Sequence, residues 1–292
     1  MIGRHVVAVA AGVALTFTGC SSRPSPSEAV VEVVGSDTML VLNRRLAESF
    51  MRREPGAAIR VSGGGSGAGI EALIAGRADI AAMSRPLDAA EVQAMFRAHE
   101  TLGVRFRVAR DGLSVFLNPR NPVRDLSTAD LGRLFAGQVT SWSEVGGSDL
   151  TVRLVVRPPN SGTTRFFRDH VLSGAPFAPA ATVAATTREV VAAVAADPGA
   201  IGFGGVAYRT DAVVLSRVDG IAPDPEPIRD ERYPLARYLQ LVTVAPPEGT
   251  VRRFLDFCLS PDGQRVVAEC GYQPLWLDVR PAAVLEPAGS RN

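Results

Sequence analysis

The sequence contains no lysine, since all 31 basic residues of its 292 are arginine. This absence excludes mechanisms that need a Schiff-base, P-loop or kinase lysine, and with them PLP enzymes, P-loop NTPases and kinases. The 30 acidic residues leave a formal net charge of +1, without the cationic excess that nucleic-acid binding requires. The few histidines, His5, His99 and His170, cluster neither with each other nor with the cysteines, so no metal site is predicted.

The first 20 residues have the pattern of an export signal. Arg4 precedes an apolar run at residues 6–15, which is too short to cross a hydrocarbon core of about 30 Å. The run leads to the sequence FTGC, which resembles a bacterial lipobox, and residues 21–28 form a polar, Pro-rich tether. We expect cleavage before Cys20 and lipidation of that cysteine. The alternative is a secretory signal cleaved nearby.

Export would place the remaining cysteines in an oxidising compartment. Cys258 and Cys270 lie in two predicted helical stretches that are separated by the turn sequence SPDG at residues 260–263. A turn there could bring the two thiols together as a disulfide. The alternative is a pair of buried free thiols.

The composition, 46% hydrophobic and 21% charged, is that of a globular protein with one large core or two ordinary ones. Strand and helix patterns alternate after the tether. The predicted strands are residues 30–34, 58–62 and 79–82, and the helices that follow them are residues 39–53, 68–75 and 89–99. Such alternation predicts an α/β fold with parallel strands.

A second, smaller α/β unit is predicted after two apolar runs at residues 104–109 and 113–118, which flank Asp111-Gly112. A later apolar run at residues 235–244 leads to two more helices, as if the chain returned to the first unit. We therefore expect the second unit to be an insertion, although the pattern alone leaves the topology open. The expected division is residues 29–108 plus 228–278 for lobe 1, residues 109–227 for lobe 2 and residues 279–292 for a frayed tail.

Small hydroxyl residues and glycines are concentrated at the predicted turns from strand to helix. These turns hold Ser36 and Thr38, then Ser66 and Gly67, then Ser84 and Arg85, and finally Ser161, Gly162 and Thr163. A helix N-terminus has unpaired amides and a positive partial charge, so it favours anions. Arg157 adds a guanidinium just ahead of the last turn. Each turn alone is also what helix capping requires, but their combination predicts an oxyanion site.

Enzyme alternatives fit the same turns less well. The sequence has no G-x-S-x-G motif, and no histidine motif lies near Ser66 or Ser161, which argues against a serine hydrolase. The residues from Gly63 to Ala68 match a loose G-x-G-x-x-A dinucleotide fingerprint, with Arg85 available for a 2′-phosphate. That match has little specificity in a run this rich in glycine.

These turns, in this order, resemble the PstS-like phosphate-binding proteins of ABC transporters, and the similarity covers nearly the whole mature chain. The segments that carry it are VVGSDTMLVLNRRLAESF, IRVSGGGSGAGIEALIAGRADIAAMSRPL, RDGLSVFLNPRNPV, LSTADLGRLFAGQVTSWSEVGG, VVRPPNSGTTRFF, GAIGFG and FLDFCLSPDGQRVVAECGYQPL. The resemblance implies an α/β periplasmic-binding-protein fold of type II, with two lobes, a hinge of crossing strands and the ligand in the interlobe cleft.

Position by position, the resemblance assigns ligand binding to Thr38, Ser66, Arg157, Ser161, Gly162 and Thr163, with Ser84 beside them. The sequence departs from the best-known members at Ser84-Arg85, where they carry Ser-Asp and the Asp accepts the proton of hydrogen phosphate. A carboxylate acceptor is the physical means of preferring a protonated anion over sulfate. We expect Asp111, or with less support Asp37, to supply this acceptor.

The resemblance also implies partners. We expect inorganic phosphate as ligand, an ABC permease and its ATPase as recipients, and contact with the membrane through a lipid anchor only. We expect a monomer that needs no cofactor, is not an enzyme and resides in the bacterial cell envelope. The alternatives are a binder of another oxyanion such as sulfate or molybdate, a phosphate sensor and, more remotely, an exported enzyme.

Overall fold

The computed structural model describes residues 30–276. The predicted signal peptide, the lipidation site at Cys20, the tether and the tail lie outside the described residues. Within residues 30–276, no helix is both long and apolar enough to span a bilayer. The same part of the chain holds no cluster of His, Cys, Asp and Glu side chains suited to a metal ion.

The first unit is built from strand-to-helix repeats. Its parallel strands are β1 (Val31–Gly35), β2 (Ile59–Ser62) and β3 (Ile80–Met83), and its helices are α1 (Leu40–Arg53), α2 (Gly65–Ile74) and α3 (Ala89–His99). Helix α1 buries Leu42, Leu46 and Phe50, which recur at helical spacing on one face. Asp88 and Glu91 form a capping box that starts α3.

Strand β4 (Val104–Leu117) crosses from the first unit to the second. It pairs antiparallel with β10 (Ala236–Thr243) up to Gly112, and then with β8 (Ala200–Gly205) from Leu113 onward. The sequence predicted two runs separated at Asp111-Gly112, but β4 is continuous there. The strand accommodates a charged residue because Asp111 lies opposite Arg237 of β10 in the register and forms an ion pair with it.

The second unit has the same α/β character. Its further elements are β5 (Asp125–Leu126), α4 (Thr128–Phe135), β6 (Arg153–Val156), α5 (Gly162–Val171), β7 (Thr182–Val183), α6 (Thr187–Ala196), β9 (Val214–Val218) and α7 (Pro225–Arg229). After β10, helices α8 (Gly249–Leu259) and α9 (Pro261–Glu269) follow. The sheet runs in the order β2-β1-β3-β10-β4-β8-β6-β7, with β9 pairing to β4 and β5.

Each unit has its own main core. One buried cluster lies under α1, α8 and α9, and the other is centred on Phe135, Phe167 and Phe203. The rings of Phe167 and Phe203 stack with centroids 4.0 Å apart. Ile228 and Tyr233 pack in the second core. Leu235 packs in the same core, whereas Leu239 and Leu241 pack in the first. The division into residues 29–108 plus 228–278 and residues 109–227 stays a prediction.

The cysteines are not joined in the structure. Cys258 is buried in the first core at the end of α8, and Cys270 is half-buried just after α9; both are free thiols. Burial raises the pKa of each thiol, so neither is readily ionised. In this structure Cys258 packs inward as an apolar side chain, which favours the alternative of two free thiols over the predicted disulfide.

Candidate anion-binding site

The hydroxyl residues singled out in the sequence come together at the carboxyl ends of parallel strands. Ser36 and Thr38 follow β1, Ser66 and Gly67 lie in the first turn of α2 after β2, Ser84 and Arg85 follow β3, Arg157 follows β6, and Ser161, Gly162 and Thr163 begin α5. Ligands of open α/β sheets bind at this edge. Every one of these serines and threonines is buried. The arrangement therefore joins polar groups from both lobes in one enclosed place.

The two lobes meet directly at Thr38 and Thr163, and Ser66 and Ser84 of the first lobe face Gly162 of the second. The Oγ1 atoms of Thr38 and Thr163 are 2.8 Å apart, and the Oγ atoms of Ser66 and Ser84 are 3.4 Å apart. Gly162 faces the second pair so closely that a Cβ atom added to it would lie 2.6 Å from Ser84 Oγ. Only a glycine allows the start of α5 to approach the first lobe to this distance.

The start of α5 presents unpaired amides to the same place. Ser161 is the N-cap, and its Oγ accepts a hydrogen bond from the amide of Thr164 at 3.4 Å. Thr164 Oγ1 in turn donates to the carbonyl of Arg157 at 3.1 Å, which fixes the turn between β6 and α5. The amides of the first helical turn have no partner within the helix, so they are available to an anion.

Arg157 is the central cation of the site. Its side chain is 2% exposed, Nη1 donates to Thr187 Oγ1 at 3.2 Å, and Nη2 donates to Asp37 Oδ2 at 2.7 Å. Its Nε is buried and has no hydrogen-bond partner among residues 30–276. A buried donor without a partner is unfavourable, so this nitrogen is a natural contact for an anion.

Arg85 is arranged differently from the prediction. Its Nη1 and Nη2 form a bidentate pair with Glu91 at 2.7 and 2.5 Å, and Nη1 also donates to the carbonyl of Pro86. These contacts turn the end of the guanidinium toward the N-terminus of α3 rather than toward the hydroxyls. Within the described part of the chain only its Nε lacks a partner, so the predicted role of Arg85 would rest on that one donor.

Asp111 lies beneath the site as half of a buried ion pair that the sequence analysis missed. Arg237 Nε and Nη2 donate to Asp111 Oδ2 at 2.9 and 2.7 Å, and the amide of Val206 donates to Oδ1 at 3.2 Å. Burial raises the pKa of Asp111, while Arg237 and the Val206 amide oppose that shift. Arg237 Nη1 also donates to Thr163 Oγ1 at 3.2 Å. The only sequence signal was an arginine inside an apolar strand.

Asp37 and Thr38 are fixed in a 3₁₀ turn after β1, where two tyrosines hold their carbonyls. Tyr208 OH donates to the Asp37 carbonyl at 2.8 Å, and Tyr272 OH donates to the Thr38 carbonyl at 2.6 Å. Asp37 Oδ1 also accepts from the amide of Gly64 at 3.0 Å. These contacts orient the Thr38 hydroxyl, and no motif in the sequence marks either tyrosine as part of the site.

The loops on the two sides of the cleft are also joined at its rim. Asn160 Nδ2 donates to the Gly64 carbonyl at 2.9 Å, and the Gly67 amide donates to the Asn160 carbonyl at 3.1 Å. Gly65 has φ +91°, a conformation that favours glycine, and a Cβ there would lie 2.7 Å from the Asn160 carbonyl oxygen. The lobes are therefore closed on each other in this structure.

An ion pair at the edge of the cleft adds to the closure. Arg165 of α5 pairs with Asp88, the N-cap of α3, and its Nη1 lies 3.7 Å from Glu91. Burial opposes the ionisation of Asp88, but the Glu91 amide and Arg165 outweigh it and lower the pKa of that carboxyl.

The chemistry of this site is that of anion binding. It offers hydroxyls, helix amides and guanidinium groups, which are the partners of a desolvated oxyanion. Neither histidine in residues 30–276 contacts a site serine, because His99 bonds to the Ile74 carbonyl and His170 stacks on Phe166. A Ser-His catalytic pair is therefore absent from the described residues.

Comparisons with known proteins agree with this geometry. The model of the PBP superfamily domain matches residues 21–262. The phosphate-binding protein PstS of Bacillus subtilis is 33% identical over 251 residues, which are 83% of this chain and 80% of that protein. Protein SphX of Synechococcus elongatus is 30% identical over 271 residues, which are 86% of this chain and 79% of that protein.

Solved structures show the same fold. A candidate phosphate ABC transporter substrate-binding protein from Clostridium perfringens, solved with bound phosphate, has a TM-score of 0.77 at 27% identity. The match covers 84% of this chain and 99% of that one. An ABC-type phosphate transport receptor from Vibrio cholerae has a TM-score of 0.72 at 28% identity and covers 83% of this chain and 99% of its own.

Proposed function

The chain belongs to the PBP superfamily and, within it, to the PstS-type phosphate-binding proteins, and we propose that it captures inorganic phosphate between its lobes for an ABC-type importer. It is a binding protein rather than an enzyme. Its phosphate would be held without any covalent step, by hydrogen bonds from both lobes.

The single observation that carries this proposal is the buried Nε of Arg157, which has no partner among residues 30–276 while hydroxyls of both lobes surround the same cleft. Removing an oxyanion from water requires many hydrogen bonds in return. Each charge-assisted hydrogen bond contributes about 1.5–3 kcal/mol. Arg157 would supply Nε, the hydroxyls of Thr38 and Ser66 would bind from the first lobe, and the amides of Gly162 and Thr163 from the second.

Selectivity for phosphate requires an acceptor for its proton. We infer that Asp111 has this role, because its carboxylate is fully buried, lies with Thr38 around Gly205, and among residues 30–276 its Oδ1 accepts one hydrogen bond, from the Val206 amide at 3.2 Å. Asp37 is the alternative, but its side chain is 22% exposed while that of Asp111 is 0% exposed, and both carboxylates already accept from an arginine. Since Arg85 stands where better-known members carry the acceptor, binding of another oxyanion is the second candidate function.

Closure of the two lobes would prepare the bound phosphate for delivery to the permease. The contacts between Asn160 and the Gly64 loop join the lobes, and the closed form would be what a permease recognises. The protein would act as a monomer in the cell envelope, anchored by a lipid on Cys20. Cys20→Ala should release the protein from membranes without altering phosphate binding.

The transport role can be tested by reconstitution. A permease of phosphate-importing ABC transporters with its ATPase, taken from the organism that makes this chain and placed in liposomes, should hydrolyse ATP faster when the phosphate-loaded protein is added. The ligand-free protein should stimulate less. Equal stimulation by both forms, or none by either, would remove the importer from the proposal while leaving phosphate binding to be judged separately.

A further inference from the structure

A second cavity borders the candidate site and is rich in arginine. It has a volume of about 470 Å³, and its wall includes Arg105 and Arg107 of β4 and Tyr238 of β10. Pro86 of the first lobe and Phe166 of the second also line it. The cavity therefore lies between the lobes, over the strands that connect them.

Arg237 separates this cavity from the phosphate site. Arg237 is among the residues that line the cavity, and its Nη1 donates to Thr163 Oγ1 at 3.2 Å on the side of the phosphate site. The guanidinium carbon of Arg237 lies 5.5 Å from the centre of the Phe166 ring. Pro86 follows Ser84-Arg85 directly in the chain. The loop after β3 thus contributes both to the wall of the cavity and to the candidate phosphate site.

The positive charge of the cavity is not neutralised. Arg105 and Arg107 are exposed, and neither has an ion pair with a carboxylate among residues 30–276. The guanidinium carbon of Arg107 lies 4.1 Å from the centre of the Tyr238 ring, which fixes its position. Arg110 lies on the other side of the same tyrosine and donates from Nη2 to Tyr238 OH at 3.0 Å.

The neighbouring acids do not cancel this charge. Asp111 is already paired with Arg237. Glu231 accepts from Tyr238 OH at 2.6 Å and lies 3.7 Å from Arg110, at the exposed edge. The arginines of the cavity and its edge therefore outnumber the carboxylates beside them, and two have no acidic partner in the described residues.

Strand geometry produces this arrangement. Side chains two residues apart on a strand share a face, so Arg105 and Arg107 point the same way, while Phe106 between them packs against the first core. The register of β4 then shifts, because Gln240 pairs with Arg107 and Leu239 with Ala109. A bulge of this kind redirects the side chains that follow it.

We propose that this cavity, the arginine vestibule formed by Arg105, Arg107, Tyr238 and Arg237, attracts phosphate dianions from solution to the cleft before the lobes close on them. This inference rests on the proposed function. Clefts lined by one sign of charge raise the association rates of charged ligands by about 10–10³-fold, and added salt suppresses the effect. The vestibule would therefore act on the rate of phosphate association and leave dissociation from the buried site unchanged.

The test is stopped-flow measurement of phosphate association and dissociation at about 20 mM and about 300 mM sodium chloride. The variant Arg105→Gln/Arg107→Gln should associate about tenfold more slowly than the native protein at low salt, with the same dissociation rate and a weaker dependence on salt. The control Arg97→Gln/Arg217→Gln, which removes the same charge from exposed positions on α3 and β9, should keep the native rates.

The charge-preserving variant Arg105→Lys/Arg107→Lys distinguishes an effect of charge from an effect of side-chain packing. It should associate with phosphate at most of the native rate, unlike the glutamine variant. An unchanged association rate in the glutamine variant, or a change confined to dissociation, would overturn the vestibule. Failure of the lysine variant to restore the rate would overturn it as well. If the native protein binds no phosphate at all, the proposed function itself fails. If the native protein binds phosphate but associates no faster than the glutamine variant, only the vestibule fails.

Discussion

Arg157 of the second lobe reaches across the cleft to Asp37 of the first, with Nη2 2.7 Å from Oδ2. The guanidinium that would hold the anion is therefore itself oriented from the opposite lobe. Thr187 holds its other terminal nitrogen, and Nε remains without a partner in residues 30–276. Closure and anion binding thus depend on the same side chain.

Arg157→Ala should weaken phosphate binding by about 100-fold, because removing the charged partner of a buried anion costs about 3 kcal/mol. Isothermal titration calorimetry measures this directly. Arg153→Ala, on the same strand but exposed and paired with Asp197, is the matched control and should bind normally. Near-native affinity of Arg157→Ala would place Arg157 outside the site.

Gly162→Ala should weaken phosphate binding by at least about tenfold while leaving the fold intact. Alanine is a better helix former than glycine, so α5 should not suffer. The added Cβ would lie 2.6 Å from Ser84 Oγ, however, and would hold the lobes apart. Gly56→Ala, where a Cβ meets nothing within 4 Å, is the control. Equal phosphate affinity of the two variants would contradict the closed interlobe contact.

Asp111→Asn should lower the preference for phosphate over sulfate by about tenfold, because a neutral amide that can donate replaces the acceptor. Asp37→Asn should weaken the binding of both anions to a similar degree, because Asp37 orients Arg157. Competition binding with sulfate gives the ratio for each variant.

A complication is that Asp111→Asn leaves Arg237 buried without its partner, which is destabilising. The double variant Asp111→Asn/Arg237→Gln avoids the unpaired charge and should show the same loss of preference. An unchanged preference in a folded Asp111 variant would end this assignment and leave Asp37 as the acceptor.

The pH dependence of stability should report the ion pair between Asp88 and Arg165. The pKa of Asp88 is lowered from 3.8 in the folded protein, so its contribution is present above pH 3.8 and is lost as pH falls through the lower folded value. Asp88→Asn keeps a capping oxygen but removes the charge that pairs with Arg165, so it should reduce the unfolding free energy by up to about 1 kcal/mol at neutral pH. The difference in unfolding free energy between Asp88→Asn and the native protein should become smaller at acidic pH.

Urea unfolding at a series of pH values checks this, with Asp256→Asn on the exposed face of α8 as the control for loss of one carboxylate. A difference between Asp88→Asn and the native protein that stays constant below pH 3.8 would show that ionisation of Asp88 does not stabilise the fold.

Much of the fold was predictable, because hydrophobic periodicity and turn residues are local signals. Helix α3 has the bounds that the sequence predicted, residues 89–99. Helix α2 begins at Gly65, earlier than the predicted residue 68, since the glycines and Ser66 form its first turn instead of preceding it. Strand β9 was not predicted; it is short and forms by pairing with the distant strands β4 and β5.

The site was predictable only in part for the same reason. Turns at the ends of strands are visible in the sequence, so the hydroxyls that the structure brings together could be named. The pairing of Arg237 with Asp111 depends on the register between β10 and β4, residues that are far apart in the chain. The orientation of the Arg85 guanidinium depends on Glu91, which also belongs to the capping box of α3, and the sequence does not show that these two side chains pair.

The central claim is that the cleft binds phosphate and prefers it to sulfate. Calorimetric titration of the lipid-free protein beginning at Ser21, stripped of ligand by unfolding and refolding, tests this most directly. The account predicts tight one-to-one binding of phosphate with no heat from sulfate. Binding of sulfate with similar affinity, or of neither anion, would contradict it and would leave the fold assigned but the ligand wrong.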